Sequence, residues 1–362
     1  MSADLTIIGD IHLGVERVSH TTPVGRERLR QKIFDRAADI VRRADGYVVQ
    51  AGDLFDKTRN DDKTLFQGYS IVSQVPVVLA GNHDVANRAN GLSSLQMVDA
   101  MLPDGPVDLP DYNDPSPIFH DSYPATALFT CPYQPTQEAF VRALDSALVS
   151  GRESRSADRF DGIESVFVLV LHCNYDLTFA KDDPLTNNLS PEKAEELLEV
   201  FDYIFCGHEH NPRVLHNGRL IMTGSIMPLS FAEMTDKFIW RVENGKVTYE
   251  LIWSVDRHYR CLDAVEAPDV LAAELEFIKV TGTVSASEYA DLLRKVQTWW
   301  QESPNLLAVN ISEVEVEGLV TSGGGDEIFK PMAVRPLAES MEALLQDSGL
   351  LELWRQIYAE MT

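Results

Sequence analysis

Asp10, His12, Asp53, Asn82, His83, His172, His208 and His210 each stand at or just beyond the end of a short apolar run, several of them after a glycine. Together they offer carboxylate oxygen, amide oxygen and imidazole nitrogen, and no thiolate. That donor set suits borderline divalent cations such as manganese, iron or zinc better than magnesium or calcium, which favour all-oxygen shells. The ligands suffice for two ions if one carboxylate bridges them, and Asp53 is the natural bridge. Two divalent ions bring about +4, against which Asp10 and Asp53 return only two negative charges. The site therefore stays electropositive and attracts an anion, phosphate above all. A two-metal centre clamps a phosphoryl group and activates water for in-line attack. His83 follows a ligand in the same loop and is the candidate general acid for the leaving oxygen. Asp56, three residues beyond the bridge, is placed to orient the His83 ring.

A lone histidine or aspartate at a strand end is ordinarily a satisfied polar residue. Five such ends carrying ligand-competent groups are hard to generate by packing needs alone. His20, His120, His216 and His258 lack such a setting and read as structural.

The elements that must position these groups alternate between strand and helix, which predicts a sheet with helices on its faces and working residues at the strands' carboxyl ends. Leu5 to Ile8, Tyr47 to Val49, Val75 to Leu79, Val166 to Leu171 and Tyr203 to Cys206 read as the strands that deliver the site. Asp10 and His12 are two apart, as are His208 and His210, so in extended chain each pair points one way. Gly81 reads as permitting a tight turn. Arg26 to Arg43 has helical apolar spacing, with Arg28, Lys32 and Arg36 forming a basic stripe that reads as a solvated face. Thr136 to Leu148 and Pro191 to Val200 read as helices, and Gly151 to Gly162 and Pro103 to Pro117 as surface excursions. Asn244-Gly245 marks a hairpin turn. Leu275 to Val284, Ser287 to Glu302 and Leu306 to Val316 form a second βαβ-like unit. Gly323-Gly324-Gly325 marks a joint. The tail beyond Pro336 is amphipathic, with Leu351, Trp354, Tyr358 and Met361 on one helix face.

At 362 residues with 44% hydrophobic content, the chain is expected to be a globular protein of two or three domains. No apolar run reaches bilayer length, and the N-terminus lacks signal-peptide features, so no membrane association is expected. Four cysteines without C-x-x-C spacing suggest a reduced, cytoplasmic compartment and buried, hydrophobe-like roles. A formal net charge of −25 argues against nucleic acid as a partner, because duplex binding rests on Lys and Arg contacts to phosphate.

Asp10-Ile11-His12, Gly52-Asp53-Leu54-Phe55-Asp56, Gly81-Asn82-His83-Asp84, the His172 strand end and Gly207-His208-Glu209-His210 resemble, in order and spacing, the five motifs of the calcineurin-like metallophosphoesterases. Leu13-Gly14, Leu54-Phe55-Asp56 and Gly224-Ser225-Ile226-Met227-Pro228-Leu229-Ser230-Phe231 narrow the resemblance to the SbcD-type DNA double-strand-break repair nuclease subunits. It covers residues 1 to about 255 in sequence and the rest in layout. It implies an α/β (α+β) fold: a central β-sandwich flanked by helices, with a small α/β cap domain and C-terminal helices. On this reading 1–255 is the nuclease domain, 256–320 a DNA-contacting cap, and 321–362 a flexible joint and partner-binding helical tail. The resemblance places Asp10, His12, Asp53 and His210 on one metal and Asp53, Asn82, His172 and His208 on the other, with manganese the usual ion. It makes His83 the transition-state histidine. Some relatives carry a histidine where this chain has Asp56, which favours the orienting role for Asp56. A homodimer and an SbcC-type SMC-like ATPase partner are also implied.

Three functions are consistent with these residues. One is a DNA exonuclease/endonuclease subunit working with an ATPase, cytoplasmic and DNA-associated. A second is a phosphoesterase on small nucleotides or phosphoproteins, which the acidity favours. A third is a non-catalytic scaffold, which the complete ligand set and His83 disfavour. The Gly224–Phe231 segment, the extra domain and the tail favour the first; Arg26, Arg28, Arg30 and Lys32 are its candidate DNA path.

Overall fold

The computed structural model describes residues 5–15, 19–85, 92–102, 105–109, 117–120, 126–161, 165–177 and 186–317. In chain order these form β1 (Leu5–Ile8), α1 (Pro23–Arg43), β2 (Tyr47–Gln50), α2 (Asp62–Val72), β3 (Val77–Leu79), α3 (Ser94–Ala100), β4 (Val107–Asp108), β5 (Ile118–His120), β6 (Thr126–Cys131) and α4 (Gln137–Asp161). There follow β7 (Val166–His172), β8 (Asn174–Tyr175), β9 (Asn188–Leu189), α5 (Pro191–Leu198), β10 (Tyr203–Gly207), β11 (Arg213–Leu215), β12 (Leu220–Met222), β13 (Lys237–Glu243) and β14 (Lys246–Trp253). The described chain ends with α6 (Val255–His258), β15 (Tyr259–Asp263), β16 (Phe277–Val284), α7 (Ala286–Glu302) and β17 (Ala308–Val316).

Two six-stranded mixed sheets pack face to face, in the orders β14-β13-β1-β2-β3-β4 and β11-β12-β10-β7-β6-β5. Period-two alternation explains the layering. Along β7, Val168 and Val170 enter the cluster between the sheets with Leu5, Val49, Val77 and Phe205. Phe167, Leu169 and Leu171 face the other way, onto Phe140 and Leu144 of α4 and Leu197 of α5. On the first sheet, Ile8, Val48 and Val78 meet Leu29, Ile33, Ala37 and Ile40 of α1 and Ile71 of α2. The result is the expected central β-sandwich flanked by helices. Asn244 and Gly245, at φ 51° and 72°, make the tight turn between β13 and β14.

Three expectations need correction. The polar stretch from Gly151 onward is no excursion, because α4 continues to Asp161. Gly151 is tolerated mid-helix because a Cβ there would lie 2.6 Å from Val200 Cγ1, so the helix needs the close approach. The stretch read as a loop at 103–117 contributes β4, which pairs with β3 at the edge of the first sheet. The basic stripe of α1 is not a solvated face. Arg28 donates to the carbonyl of Ser303 (3.0 Å), and Lys32 meets the buried Glu276 carboxylate at 2.6 Å. Arg30, on another face, donates to the carbonyls of Val15 (2.9 Å) and Gly14 (3.3 Å). These cations are engaged internally, which withdraws them as a DNA path.

Residues 259–316 carry a parallel sheet of their own, β15-β16-β17, with α7 against it. The polar strand β15 escapes sequence reading because its pattern has almost no apolar alternation. Ser285 and Glu288 form a capping box that starts α7. Trp299 is 1% exposed and donates its indole N–H to the Pro268 carbonyl at 3.0 Å. Trp299→Ala is expected to cost about 3–5 kcal/mol. Amide hydrogen exchange should then show β15–β17 opening while β7 and β10 keep their protection; uniform loss across all strands would contradict a local role. The joint and the amphipathic tail at 321–362, with the expected C-terminal helices, lie outside the described residues. Cys131, Cys173 and Cys206 are buried as expected, whereas Cys261 is exposed.

Candidate metal centre

The parallel strands β1, β2 and β3 of one sheet and β7 and β10 of the other end at a common rim. Asp10 lies just past β1, where it bridges to Ser225. His172 closes β7 opposite Gly207, and His208 follows at once. Close approach, not turn geometry, dictates Gly81: its Cβ would stand 2.1 Å from Asp53 Oδ1, and its φ is not in the left-handed region. Gly52 needs both, with φ at +100° and a would-be Cβ 2.1 Å from His172 Nδ1.

His12, Asp53 and His208 themselves have left-handed backbones, with φ of 54°, 52° and 90°. Such conformations cost of order 1–3 kcal/mol each and persist only where the surroundings impose them. They also overturn the extended-chain reading of the two-residue spacings. His208 and His210 diverge, the first toward Asp53 and His172, the second toward Asp10 and His12.

The structure thus brings together two groups of ligand atoms: Asp10, His12 and His210, and Asp53, His172 and His208. Asp53 Oδ2 stands between them, 3.8 Å from His12 Nε2 and 3.4 Å from His172 Nε2. Asn82 Oδ1 is 3.1 Å from both His172 Nε2 and His208 Nδ1. His12 Nε2 and His210 Nε2 approach to 2.9 Å.

This crowding of lone pairs fits cations. His172 donates Nδ1–H to the Ala51 carbonyl (2.9 Å), which turns its Nε2 toward two acceptor oxygens. His208 Nε2 is buried without a hydrogen-bond partner. Burial disfavours a charged His172, yet Asp53 and Asp10 drive its pKa to about 9, so the cluster draws in a positive charge. Burial and the His172 charge push His208 down to about 3, leaving its ring neutral. Burial raises the Asp10 carboxyl, whereas for Asp53 the neighbouring His172 outweighs burial and holds it well below the usual range.

His83 lies beside the first group, its ring 5.1 Å from that of His12 and T-shaped to it. Its Nδ1–H donates to the backbone carbonyl of Asp56 at 2.8 Å, which leaves Nε2 for proton work. The Asp56 carboxylate points instead at His12 Nδ1, 3.4 Å away. The orienting contact expected of the Asp56 side chain is therefore made by its main chain. Burial opposes charge on His83, but the fields of Asp53 and Asp56 and the bond to Asp56 raise its pKa above the ordinary histidine value.

The calcineurin-like phosphoesterase family model matches residues 4–212, more than half of the chain. The chain belongs to that family. It is accordingly a metal-dependent phosphoester hydrolase, and the paired His/Asp groups are the side chains that could hold its divalent ions. A relative, the SbcD subunit of the nuclease SbcCD from Staphylococcus epidermidis, is 23% identical over 307 residues, covering 75% of this phosphoesterase and 78% of the relative.

Two residues escape sequence reasoning. Asp84, 1% exposed, accepts from the backbone N–H groups of Leu54 (3.1 Å), Phe55 (3.0 Å) and Gly81 (3.0 Å), stitching the second and third motif loops together. Burial and the Asp53 charge push its carboxyl up to about 7. Its place in Gly81-Asn82-His83-Asp84 was signal enough. Glu233 lies 3.1 Å from His210 Nδ1. Burial works against its ionisation, but pairing with His210 wins and holds it at about 2. No spacing in the sequence links those two. His120, His216 and His258 bond Asp108, Tyr175 and the Glu274 carbonyl, away from the site, and His20 packs edge-on to Phe231.

Proposed function

We propose that this phosphoesterase is a manganese-dependent DNA exonuclease/endonuclease subunit that hydrolyses phosphodiester bonds with a two-metal centre. It acts with an SbcC-type SMC-like ATPase in DNA repair, recombination or replication, as a cytoplasmic, DNA-associated protein. The observation that carries the reading is the shared position of Asp53 between two groups of imidazole and carboxylate donors. Asp10, His12, Asp53 and His210 hold one ion; Asp53, Asn82, His172 and His208 hold the other. Iron or zinc would satisfy the same donors. When bound, the ions supply Lewis acidity to the phosphoryl oxygens and a water of lowered pKa. His83, fixed through Nδ1 by the Asp56 carbonyl, holds a proton on Nε2 and delivers it to the leaving oxygen.

The name of the staphylococcal relative, a nuclease subunit of a two-part complex, supports the DNA substrate and the ATPase partner. We assign catalysis to 1–255, DNA contact to the cap at 256–320, and ATPase docking to 321–362. Exposed Phe66, Leu92, Met97 and Met101 on the α2–α3 side support a homodimer. Among the described residues no helix is long and apolar enough to cross a membrane.

The second reading, a phosphoesterase on small nucleotides or phosphoproteins, is favoured by the net charge of −25 and by the internal engagement of Arg28, Arg30 and Lys32. Purified full-length protein with manganese, assayed on linear duplex DNA, single-stranded DNA and bis-p-nitrophenyl phosphate, separates the two. Cleavage of DNA is the expected result. Turnover of the small diester with both DNA substrates untouched would replace the nuclease reading with the second.

A further inference from the structure

We propose that Glu233 is a positioning residue for the metal centre: it takes the Nδ1 proton of His210 and so turns the His210 Nε2 lone pair toward Asp10 and His12. The inference rests on the assignment of Asp10, His12 and His210 to one ion.

The segment Gly224–Phe231 stood out in the sequence, yet no chemistry at the site uses its side chains. Its backbone explains its place. Ser225 N–H donates to the His210 carbonyl (3.1 Å), and Ile226 N–H donates to the Asp10 carbonyl (3.0 Å). The segment is thus a floor beneath two residues of one ligand group. It then passes through a short 3-10 turn, Phe231–Glu233, which sends the Glu233 carboxylate back under the imidazole.

That carboxylate is held in one orientation. Its Oε2 accepts from Leu229 N–H (2.9 Å) and its Oε1 from the Ser230 hydroxyl (3.1 Å). Its Oε1 lies 3.1 Å from His210 Nδ1, while His12 Nε2 and Asp10 Oδ2 lie 2.9 and 3.9 Å from His210 Nε2. The two ring nitrogens therefore face different partners: Glu233 sits on the Nδ1 side and is no ligand itself. Lys237, wholly buried, donates to the His210 carbonyl (2.8 Å) and sets a positive charge near the buried carboxylate. Ring and backbone of His210 are thus held from two sides by one acid and one base.

Free imidazole divides between two tautomers, and only the one protonated on Nδ1 can ligate through Nε2. A carboxylate on Nδ1 selects that tautomer and raises ligand basicity, and losing such a partner typically costs about 10- to 100-fold in metal affinity.

The test is manganese titration by calorimetry of full-length wild type, Glu233→Ala and Glu233→Gln, together with nitrogen-15 NMR of the His210 ring in metal-free protein. Glu233→Ala should weaken one of two sites by about 10- to 100-fold and leave the other unchanged. The His210 signals should move from an Nδ1–H form toward a tautomer mixture. Glu233→Gln, whose amide oxygen can accept the same proton, should restore most of the affinity. Two sites untouched in Glu233→Ala would overturn the inference alone. Equal weakening of both sites with a lowered melting temperature would show a merely structural residue and overturn it as well. A wild type that binds no manganese would instead overturn the metal assignment, and the inference with it.

Discussion

His83→Ala is expected to keep both metal ions and lose about 10²- to 10⁴-fold in turnover of a phosphodiester, the usual worth of a general acid or base. That loss corresponds to about 2.7–5.5 kcal/mol of transition-state stabilisation. The expectation follows from which atoms of His83 are already committed. Nδ1 is bound to the Asp56 carbonyl, and the backbone N–H donates to Asp53 Oδ1 at 3.0 Å. Truncation at Cβ keeps the second bond, so Asp53 should keep its place. Asn82, one residue earlier, should still present Oδ1 to His172 and His208. What disappears is the ring beside His12 and the proton on its Nε2. Metal content measured beside turnover decides the point. Activity within a few-fold of wild type would refute the acid role, and loss of metal would recast His83 as a ligand. Substrates with better leaving groups need less protonation, so bis-p-nitrophenyl phosphate should be hurt less than DNA.

The sandwich and the rim of strand ends were legible because the signals are local and strong. Val166–Leu171 is apolar throughout, as a strand buried on both faces must be, and it stops at a histidine. The pairing of His208 with Asp53 and of His210 with Asp10 was not legible from residue spacing, since the backbone at His208 is left-handed and breaks the alternation. The Asp56 expectation missed for a related reason: sequence shows side chains, and a backbone carbonyl does the orienting.

Tertiary partners defeated the rest. Arg28 and Lys32 lie on a helix face that reads as solvated until residues 276 and 303, far along the chain, arrive to cover it. A charge pattern cannot name the surface it meets. Gly151 signals a break by propensity but is retained inside α4 because Val200 packs where a side chain would be. In both cases long-range packing outweighs a local preference worth about 1 kcal/mol or less.

Asp53→Ala should do more damage to metal binding than Asp10→Ala, and the geometry says why. Asp10 Oδ2 approaches His210 Nε2 at 3.9 Å, while its two oxygens accept from His208 N–H at 3.1 and 2.9 Å. Removing it takes a ligand from one group of donors. Asp53 faces both groups through one oxygen, and accepts from His83 N–H through the other. Removing it takes a carboxylate from both at once and unties the third motif loop. Partners one shell out typically cost about 10- to 100-fold, so the shared ligand should exceed about 100-fold at each site. Asp53→Asn controls for folding, because its amide oxygen can still accept from His83 N–H while the bridging charge is gone. Titration with manganese should find two sites in wild type and one clearly retained in Asp10→Ala. It should find none of comparable affinity in either Asp53 variant, with turnover lost in parallel. Two intact sites in Asp53→Ala would show that the groups of donors are independent and that no carboxylate joins them.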